Sequence, residues 1–349
     1  MRYGHYHTAA HGWVQRYRCR RCGATASTQS ESLHYFAKRR LPLEAVWRSL
    51  LGGASMREVA WRYGVSPMAV QNAVLRLGRQ AMAVQLEFLR ELQPQQRVVY
   101  DGLRSAVVSA DYPCDITTVL TPAGEAVLSM EHTVFLRGGR MRPAQRTRAR
   151  ARHALWRPPV RTMTEDISRI CGELWDYLRP AGGDASASLR IDTDRHPLYL
   201  AALLRDPVAA HWRAAGALSH VRTDSRAPRT PENPLFAVNY LDRLLRHRLR
   251  EHTRETIAGG RHAVMQMHRA WMFAVDSNVL RPWRVRRPEA GVHSQQGAVD
   301  AETARRLARE FFTRRRRVAR GTAVPQTIRR AWTGELLTPP VRWRGRRQQ

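Results

Sequence analysis

The sequence has almost no lysine, since Lys38 is the single lysine among 59 basic residues, and acidic residues number only 29. The four cysteines lack the spacing of a disulfide framework, which is typical of a reducing compartment. No run approaches the roughly 18 apolar residues of a membrane span, and the start of the chain lacks the apolar segment of a signal peptide. We therefore expect a cytoplasmic protein that does not enter membranes.

The basic residues that are present are nearly all arginine, and they give a formal net charge of +30 with a pI near 11.5. Arginine forks match phosphate geometry, and an excess of this size is typical of a nucleic-acid-binding protein. Charge alone supplies affinity without sequence specificity. With 349 residues and 43% hydrophobic content, the chain is long enough for more than one domain with a core.

Cys19 and Cys22 form a Cys-x-x-Cys pair within the stretch RYRCRRCG. Two thiolates at this spacing can bind one Zn²⁺, which needs two further ligands. We favour the second half of a zinc ribbon whose first Cys-x-x-Cys lies before Met1. A mixed site with His5, His7 or His11 and a pair of unligated cysteines remain open.

Residues 52 to 78 predict a helix-turn-helix. Ser55 and Glu58 form a capping box for the first helix, and Gly64 marks the turn. Ser66 caps the second helix with Pro67 at its first position. An inward stripe of Val70, Val74 and Leu77 leaves polar residues outward.

The outward side chains of this unit are the predicted DNA contacts. Glutamine and asparagine pair with adenine edges, and arginine pairs with guanine or phosphate. The predicted contacts are Arg57, Met68, Gln71, Asn72 and Arg76. An ordinary helical hairpin with a solvated polar face is the competing interpretation.

After a link at residues 93 to 96, the pattern changes to alternating strands and helices. We predict the elements in the order β, β, β, α, β, α, β, α. They are strands at 97–103, 114–121 and 126–135, a helix at about 165–178, a strand at 188–194, a short helix at 198–204, a possible strand at 217–221 and a long helix at about 236–257. This is the order of an RNase H-like core, a mixed sheet flanked by helices.

Two aspartates fall where this topology would bring them together. Asp101 lies within the first strand among apolar residues, where a carboxylate is costly without a partner. Asp194 ends the fourth strand, which neighbours the first in this topology. Converging carboxylates repel, and Mg²⁺ or Mn²⁺ relieves the repulsion, so we predict a site for two-metal phosphoryl transfer.

Such a site needs a third carboxylate from the last helix. Asp242 lies at the edge of the buried stripe of that helix and is our first choice, with Glu255 as the alternative. Glu251 is expected to pair with nearby arginines. Surface salt bridges within the helix are the competing interpretation for all three acids.

Two further segments are strongly basic. Residues 137 to 157 predict a DNA-backbone clamp inserted in the core, with Arg137, Arg140 and Arg142 as contacts; a solvated loop is the alternative. Residues 276 to 349 interleave arginines with Trp283, Trp332 and Trp343, which suits phosphate contact with stacking, although a flexible tail would have the same composition.

The order of these motifs resembles that of bacterial insertion-sequence transposases over roughly residues 3 to 280. The motifs are RYRCRRCG, the helix-turn-helix, DGLRS, RGGRM, DTDRHPLY and NPLFAVNYLDRLLRHRLREHTRETIA. The family has a zinc ribbon, a helix-turn-helix and an RNase H-like core with three acids. The resemblance implies that Asp101 and Asp194 are the first two. Asn239 falls near the glutamate of some relatives, so Asp242 is the implied substitute.

The sequence and this resemblance predict a multidomain α+β protein. The predicted domains are a partial zinc ribbon (1–32), a helix-turn-helix domain (33–92), an RNase H-like core (93–275, with a basic insertion at about 137–180) and a basic C-terminal extension (276–349). The expected function is transposition, with Mg²⁺-dependent strand cleavage and strand transfer on double-stranded DNA. The expected partners are element ends, target DNA and further copies of the chain. The competing hypothesis is a non-catalytic DNA-binding protein, either a decayed transposase or a repressor.

Overall fold

The computed structural model describes residues 1–160, 162–175, 177–178, 188–253, 258–319 and 321–341. The chain begins with a small antiparallel sheet of β1 (Arg2–Thr8), β2 (Gly12–Arg18) and β3 (Thr25–Ser27), followed by the short helix α1 (Thr28–Glu31). Cys19 and Cys22 lie in the turn between β2 and β3. Gly23 closes this turn with φ +69°, a backbone conformation that favours glycine.

Three helices follow: α2 (Leu43–Leu51), α3 (Met56–Arg62) and α4 (Pro67–Arg90). The predicted N-cap residues are confirmed, because the Ser55 hydroxyl accepts from the Glu58 amide at 3.1 Å and the Ser66 hydroxyl from the Ala69 amide at 3.3 Å. The predicted capping box at Ser55 is only half formed, and the Glu58 carboxylate lies 3.7 Å from Arg62. Gly64 makes the turn with φ +57°. The predicted inward stripe of α4 is also confirmed, and the helix continues for 24 residues.

The main sheet has five strands: β4 (Arg97–Val107), β5 (Ser109–Leu120), β6 (Val127–Val134), β7 (Leu189–Asp194) and β8 (Leu218–Thr223). Their spatial order is β6-β5-β4-β7-β8. β4, β5 and β6 are antiparallel, whereas β4, β7 and β8 are parallel. The predicted adjacency of the first and fourth strands of this sheet is therefore confirmed, with Val99 paired to Asp192.

The remaining helices flank this sheet. They are α5 (Pro143–Leu155), α6 (Thr162–Leu174), α7 (Pro197–Arg205), α8 (Pro207–Ala214), α9 (Phe236–Arg248), α10 (Ala263–Val275), α11 (Ala301–Ala308) and α12 (Gln326–Thr333). The sequence did not predict α5, α8 or the three helices that follow α9. The mixed α/β class agrees with the α+β prediction.

The predicted extent of the last core helix, to residue 257, was wrong. α9 ends at Arg248, and a 3-10 turn covers Arg250–His252. The Arg248 guanidinium turns inward, where its Nη2 lies 2.6 Å from Asp276 Oδ2 and its Nε donates to the Leu51 carbonyl. This buried ion pair and the burial of Leu249 draw the chain off the helix axis. Residues 254–257, including Glu255, lie outside the described residues.

One hydrophobic cluster extends from Leu33 to Leu336. α4 packs so closely on α10 at Gly78 that a Cβ there would lie 2.3 Å from His268 Nδ1. The described part of the C-terminal extension joins this core: Phe311 packs edge-on against Trp47, with ring centroids 5.0 Å apart. No helix among the described residues is long and apolar enough to cross a membrane.

A buried ionic cluster also holds the C-terminal extension. Arg330 of α12 lies 2.9 Å from Glu131 on β6 and 3.0 Å from Asp166 on α6. Arg169 of α6 contacts the same Glu131 at 3.0 Å. Buried acids are costly unless paired, so these arginines fix α12 against the sheet.

Candidate functional site

Asp101 and Asp194 line the same small cavity, of about 40 Å³. Asp101 lies within β4 and accepts a hydrogen bond from the Gly102 amide at 2.8 Å. Asp194 ends β7 and accepts from the His196 amide at 2.8 Å. Because Val99 pairs with Asp192 in parallel register, the two acids occupy equivalent places on neighbouring strands. The structure therefore brings together the two acids that the sequence singled out.

Helix α9 supplies Asn239 to the wall of this cavity. Its Nδ2 donates to the Leu235 carbonyl at 2.9 Å, so the amide oxygen is the acceptor that remains. The loop before α9 closes another side with Asp224 and Arg229. Asp224 is paired with Arg195 at 3.1 Å.

Asp242, the predicted third acid, is buried behind this wall and does not line the cavity. Burial, followed by the charge of Asp101, raises the pKa of Asp242 well above its usual range. Its Oδ1 is buried, and no described group hydrogen-bonds to it. The Asp242 carboxyl thus lies near Asp101 but outside the cavity lining, one helical turn beyond Asn239 on α9.

A fourth acid, Asp115 on β5, was missed by sequence reasoning. It is buried, and burial raises its pKa, while Arg104 opposite on β4 opposes the rise. Gly102 makes room for it, since a Cβ there would lie 2.6 Å from Asp115 Oδ2. A glycine inside a predicted strand often marks such a close approach, and this was the available signal.

Burial is the dominant influence on these acids, and nearby arginines such as Arg229 offset it only in part. Burial raises the pKa of Asp101 to about 7, and the neighbouring Asp194 and Asp115 add to the rise. The Gly102 amide opposes it only in part. A proton or a cation is therefore needed to neutralise this group of carboxylates near neutral pH.

The donor set fits a hard divalent cation. Asp101 and Asp194 offer carboxylate oxygens and Asn239 an amide oxygen, which are the ligand types that Mg²⁺ and Mn²⁺ prefer. The carboxyl groups of Asp115 and Asp242 adjoin this pair, and burial raises the pKa of both. In the described part of the chain, no group of three or more His, Cys, Asp or Glu side chains is placed to bind a metal ion. The third oxygen offered here is an amide.

The Cys19 and Cys22 thiols are both exposed. Hydrogen bonds from the backbone amides of Cys22 and Arg21 lower the pKa of Cys19, which favours the thiolate that binds metals. Two thiols on one tight turn fit half of a tetrahedral zinc site. His5 and His7 contact the Trp13 ring edge-on, with ring centroids 4.8 and 5.4 Å away.

The predicted DNA-contacting side chains of the helix-turn-helix are only partly outward. Arg57, Met68 and Asn72 are exposed and Gln71 is half-buried. Arg76 differs from the prediction, because its Nε donates to the Tyr35 carbonyl at 3.2 Å and its guanidinium lies over the Tyr35 ring. Arg76 thus holds the loop that precedes α2.

The basic segment divides in the same way. Arg140 and Arg142 are exposed, as expected of DNA contacts, whereas Arg137 lies 3.5 Å from the buried Asp111. Arg148 and Arg152 of α5 lie 3.0 and 3.3 Å from the same carboxylate. Asp111 was missed by sequence reasoning, and it fixes α5 to β5.

Glu251, which was expected to pair with neighbouring arginines, is buried and pairs with Arg269 of α10 at 2.8 Å.

No protein-family model matches this chain, and no curated protein is similar enough to count as a match. Function therefore has to be inferred from the cavity and from the basic surfaces.

Proposed function

We propose that this chain is a DNA-strand transferase of the transposase type, with an RNase H-like core that cleaves and joins phosphodiester bonds. The observation that carries the proposal is the pair Asp101 and Asp194 on neighbouring parallel strands, facing one cavity beside α9. The strand order β6-β5-β4-β7-β8, with three antiparallel strands and a parallel extension, supports the RNase H-like assignment.

In this proposal Asp101 and Asp194 hold the divalent cations, and Asn239 contributes its amide oxygen. When bound, the cations would stabilise the charge that develops on the scissile phosphate and lower the pKa of the attacking water or 3′-hydroxyl. Asp101 and Asp194 are half-buried, which strengthens their attraction for a cation, because fewer waters compete for it. Arg229 at the cavity wall can contact a non-bridging phosphate oxygen.

Other parts of the chain fit a DNA substrate. The exposed Met68 and Asn72 lie on the first turns of α4, where a helix-turn-helix meets the major groove. The exposed arginines of α5 supply phosphate contacts without sequence specificity. Synapsis of two element ends would require at least two copies of the chain. The thiol pair at Cys19 and Cys22 would contribute half of a Zn²⁺ site.

The test is metal-dependent nicking of a supercoiled plasmid carrying the element's own flanks. We expect Asp101→Asn and Asp194→Asn to lose all cleavage while still binding DNA. Asp224→Asn is the matched control, because Asp224 lines the same cavity but is paired with Arg195. Cleavage by the first two variants at the wild-type rate would refute the assignment.

The same assay separates Asn239 from Asp242 as the third ligand. If Asn239 contacts the cation, Asn239→Ala should raise the Mg²⁺ concentration for half-maximal nicking about 10- to 100-fold, and Asn239→Asp should lower it. Asp242→Asn should then leave that concentration nearly unchanged. The opposite pattern would assign the role to Asp242.

A non-catalytic DNA-binding protein is the second candidate, and one observation favours it. The α9 position at the cavity wall is the neutral Asn239 rather than a carboxylate. A site with one negative charge fewer binds a divalent cation more weakly. Tight binding of the flanks by the wild type without nicking in Mg²⁺ or Mn²⁺ would select this candidate.

A further inference from the structure

Phe36 is an exposed aromatic residue in an unfavourable backbone conformation. Its φ is +53°, a backbone conformation that residues other than glycine rarely adopt, and 77% of the residue is exposed. Exposing a large apolar ring to water is unfavourable, and the backbone at this residue is strained as well. The local sequence alone does not account for either feature, so the surrounding structure must hold the ring where it is.

The contacts of Tyr35 explain how the loop is held. The Arg315 guanidinium lies 3.6 Å from the centroid of the Tyr35 ring, and Arg76 lies 5.4 Å from it. The Arg76 Nε also donates to the Tyr35 carbonyl. The Tyr35 amide donates to the Ser32 carbonyl at 3.0 Å and the Ala37 amide to the His34 carbonyl at 2.9 Å. Phe36 is therefore presented by a loop that is fixed on both sides.

The ring lines a cavity of about 440 Å³ at the start of α4. Met68 and Asn72 of α4 line the same cavity, together with Lys38 and Arg39 from the loop. None of the described residues that line it is acidic. The cavity thus combines an apolar floor with cationic walls, beside the residues that the sequence predicts to read DNA.

We propose that Phe36 stacks on a nucleobase of DNA bound at the start of α4, at a kinked or unpaired position. The inference rests on the proposed DNA-binding function. An aromatic face accepts any base, and the neighbouring Lys38 and Arg39 match the phosphates on either side of it. An apolar side chain placed at a base step also favours DNA that is already unstacked. The cationic residues disfavour a basic peptide and favour a polyanion, which agrees with the DNA partner of the proposed function.

The experiment compares two probes by fluorescence anisotropy: a short fully paired DNA duplex, and the same duplex with one bulged adenine. The wild type should bind the bulged duplex more tightly. Phe36→Ala should reduce affinity for it by about 5- to 140-fold, the range that one stacked base supplies. Phe36→Trp should restore the preference. Trp61→Ala is the matched control, since Trp61 is 79% exposed on α3 but does not line the cavity.

Phe36→Gly separates the ring from the backbone strain. Glycine accepts the positive φ, so this variant should melt at a higher temperature than Phe36→Ala and still lack the bulge preference. Equal binding of both duplexes by the wild type, or an unchanged preference in Phe36→Ala, would overturn the stacking role alone. Failure of the wild type to bind either duplex would overturn the proposed DNA-binding function as well.

Discussion

Replacing Arg142, Arg146 and Arg150 with glutamine should remove a row of DNA-phosphate contacts while leaving α5 folded. The three residues are exposed. Arg146 and Arg150 lie on one side of the helix about 6 Å apart along its axis, and Arg142 is the residue that precedes the first turn. No carboxylate in the described residues pairs with their side chains, which therefore remain available to phosphates.

Each phosphate neutralised by a side chain contributes about 0.9 to the slope of log K against log salt concentration. Three contacts therefore account for a slope of about 2.7. Raising the salt concentration fourfold should weaken wild-type binding about 40-fold more than it weakens binding by the triple variant. The assay is a salt titration of duplex binding, with circular dichroism to verify that the fold is retained.

A variant with the same change in net charge provides the control. Arg306, Arg314 and Arg317 pair with surface glutamates at 2.9, 3.7 and 2.8 Å, and their replacement by glutamine also removes three positive charges. If both triple variants lose the same slope, the overall charge of +30 governs binding and α5 has no special role.

Asp111→Asn gives a second check because two explanations predict opposite signs. The substitution removes one negative charge and so raises the net charge by one, and an effect of net charge alone would strengthen DNA binding. It also removes the carboxylate that Arg148 and Arg152 contact at 3.0 and 3.3 Å, which should release α5 and weaken binding. Stronger binding by a folded Asp111→Asn variant would refute the role of the helix.

Three further outcomes follow from buried contacts. Gly78→Ala should lower stability by about 1–2 kcal/mol in calorimetry, because a Cβ would lie 2.3 Å from His268 and only part of this cost is offset by helix propensity, whereas Gly138→Ala, in open space, should be neutral. Burial lowers the pKa of His252 to about 3 and of His268 to about 4, so their contribution is present above pH 6.5 and is lost as the pH falls toward 4. Because carboxyls with a raised pKa such as Asp101 act in the opposite direction, the test compares wild type with a His252→Asn, His268→Asn double variant; the same change in melting temperature for both over that range would contradict this. Asp242→Asn should stabilise the fold at pH 8 but not below pH 4, because the raised pKa of this carboxyl makes its ionisation unfavourable to folding; equal melting curves at pH 8 would argue against it.

Local signals in the sequence predicted local structure well. The caps at Ser55 and Ser66 and the turn at Gly64 depend on neighbours within a few residues, so the sequence contains all that determines them. The alternation of strands was also readable, and it led to the neighbouring positions of Asp101 and Asp194.

Features that depend on distant partners could not be read in this way. Arg76 was expected to face DNA, but it contacts Tyr35, which lies 41 residues earlier in the chain. α9 ends early where Arg248 forms an ion pair with Asp276. Asp115 lies in the site because Gly102 has no side chain. In each case the outcome depends on a residue that only the folded chain brings near.

Helix α4 connects the predicted DNA-reading surface to the main sheet through its own packing. Its 24 residues span about 36 Å, with Met68 and Asn72 exposed near the first end. Toward the other end, the Gln85 side chain donates to the backbone carbonyls of Val127 and Leu128 on β6 at 2.9 and 3.1 Å. Because α4 is packed against α10 at Gly78 and against β6 at Gln85, the distance from its first turns to the sheet is set by packing. DNA bound at Asn72 would therefore meet the aspartate cavity at a fixed separation, and site choice would depend on that separation as well as on base contacts.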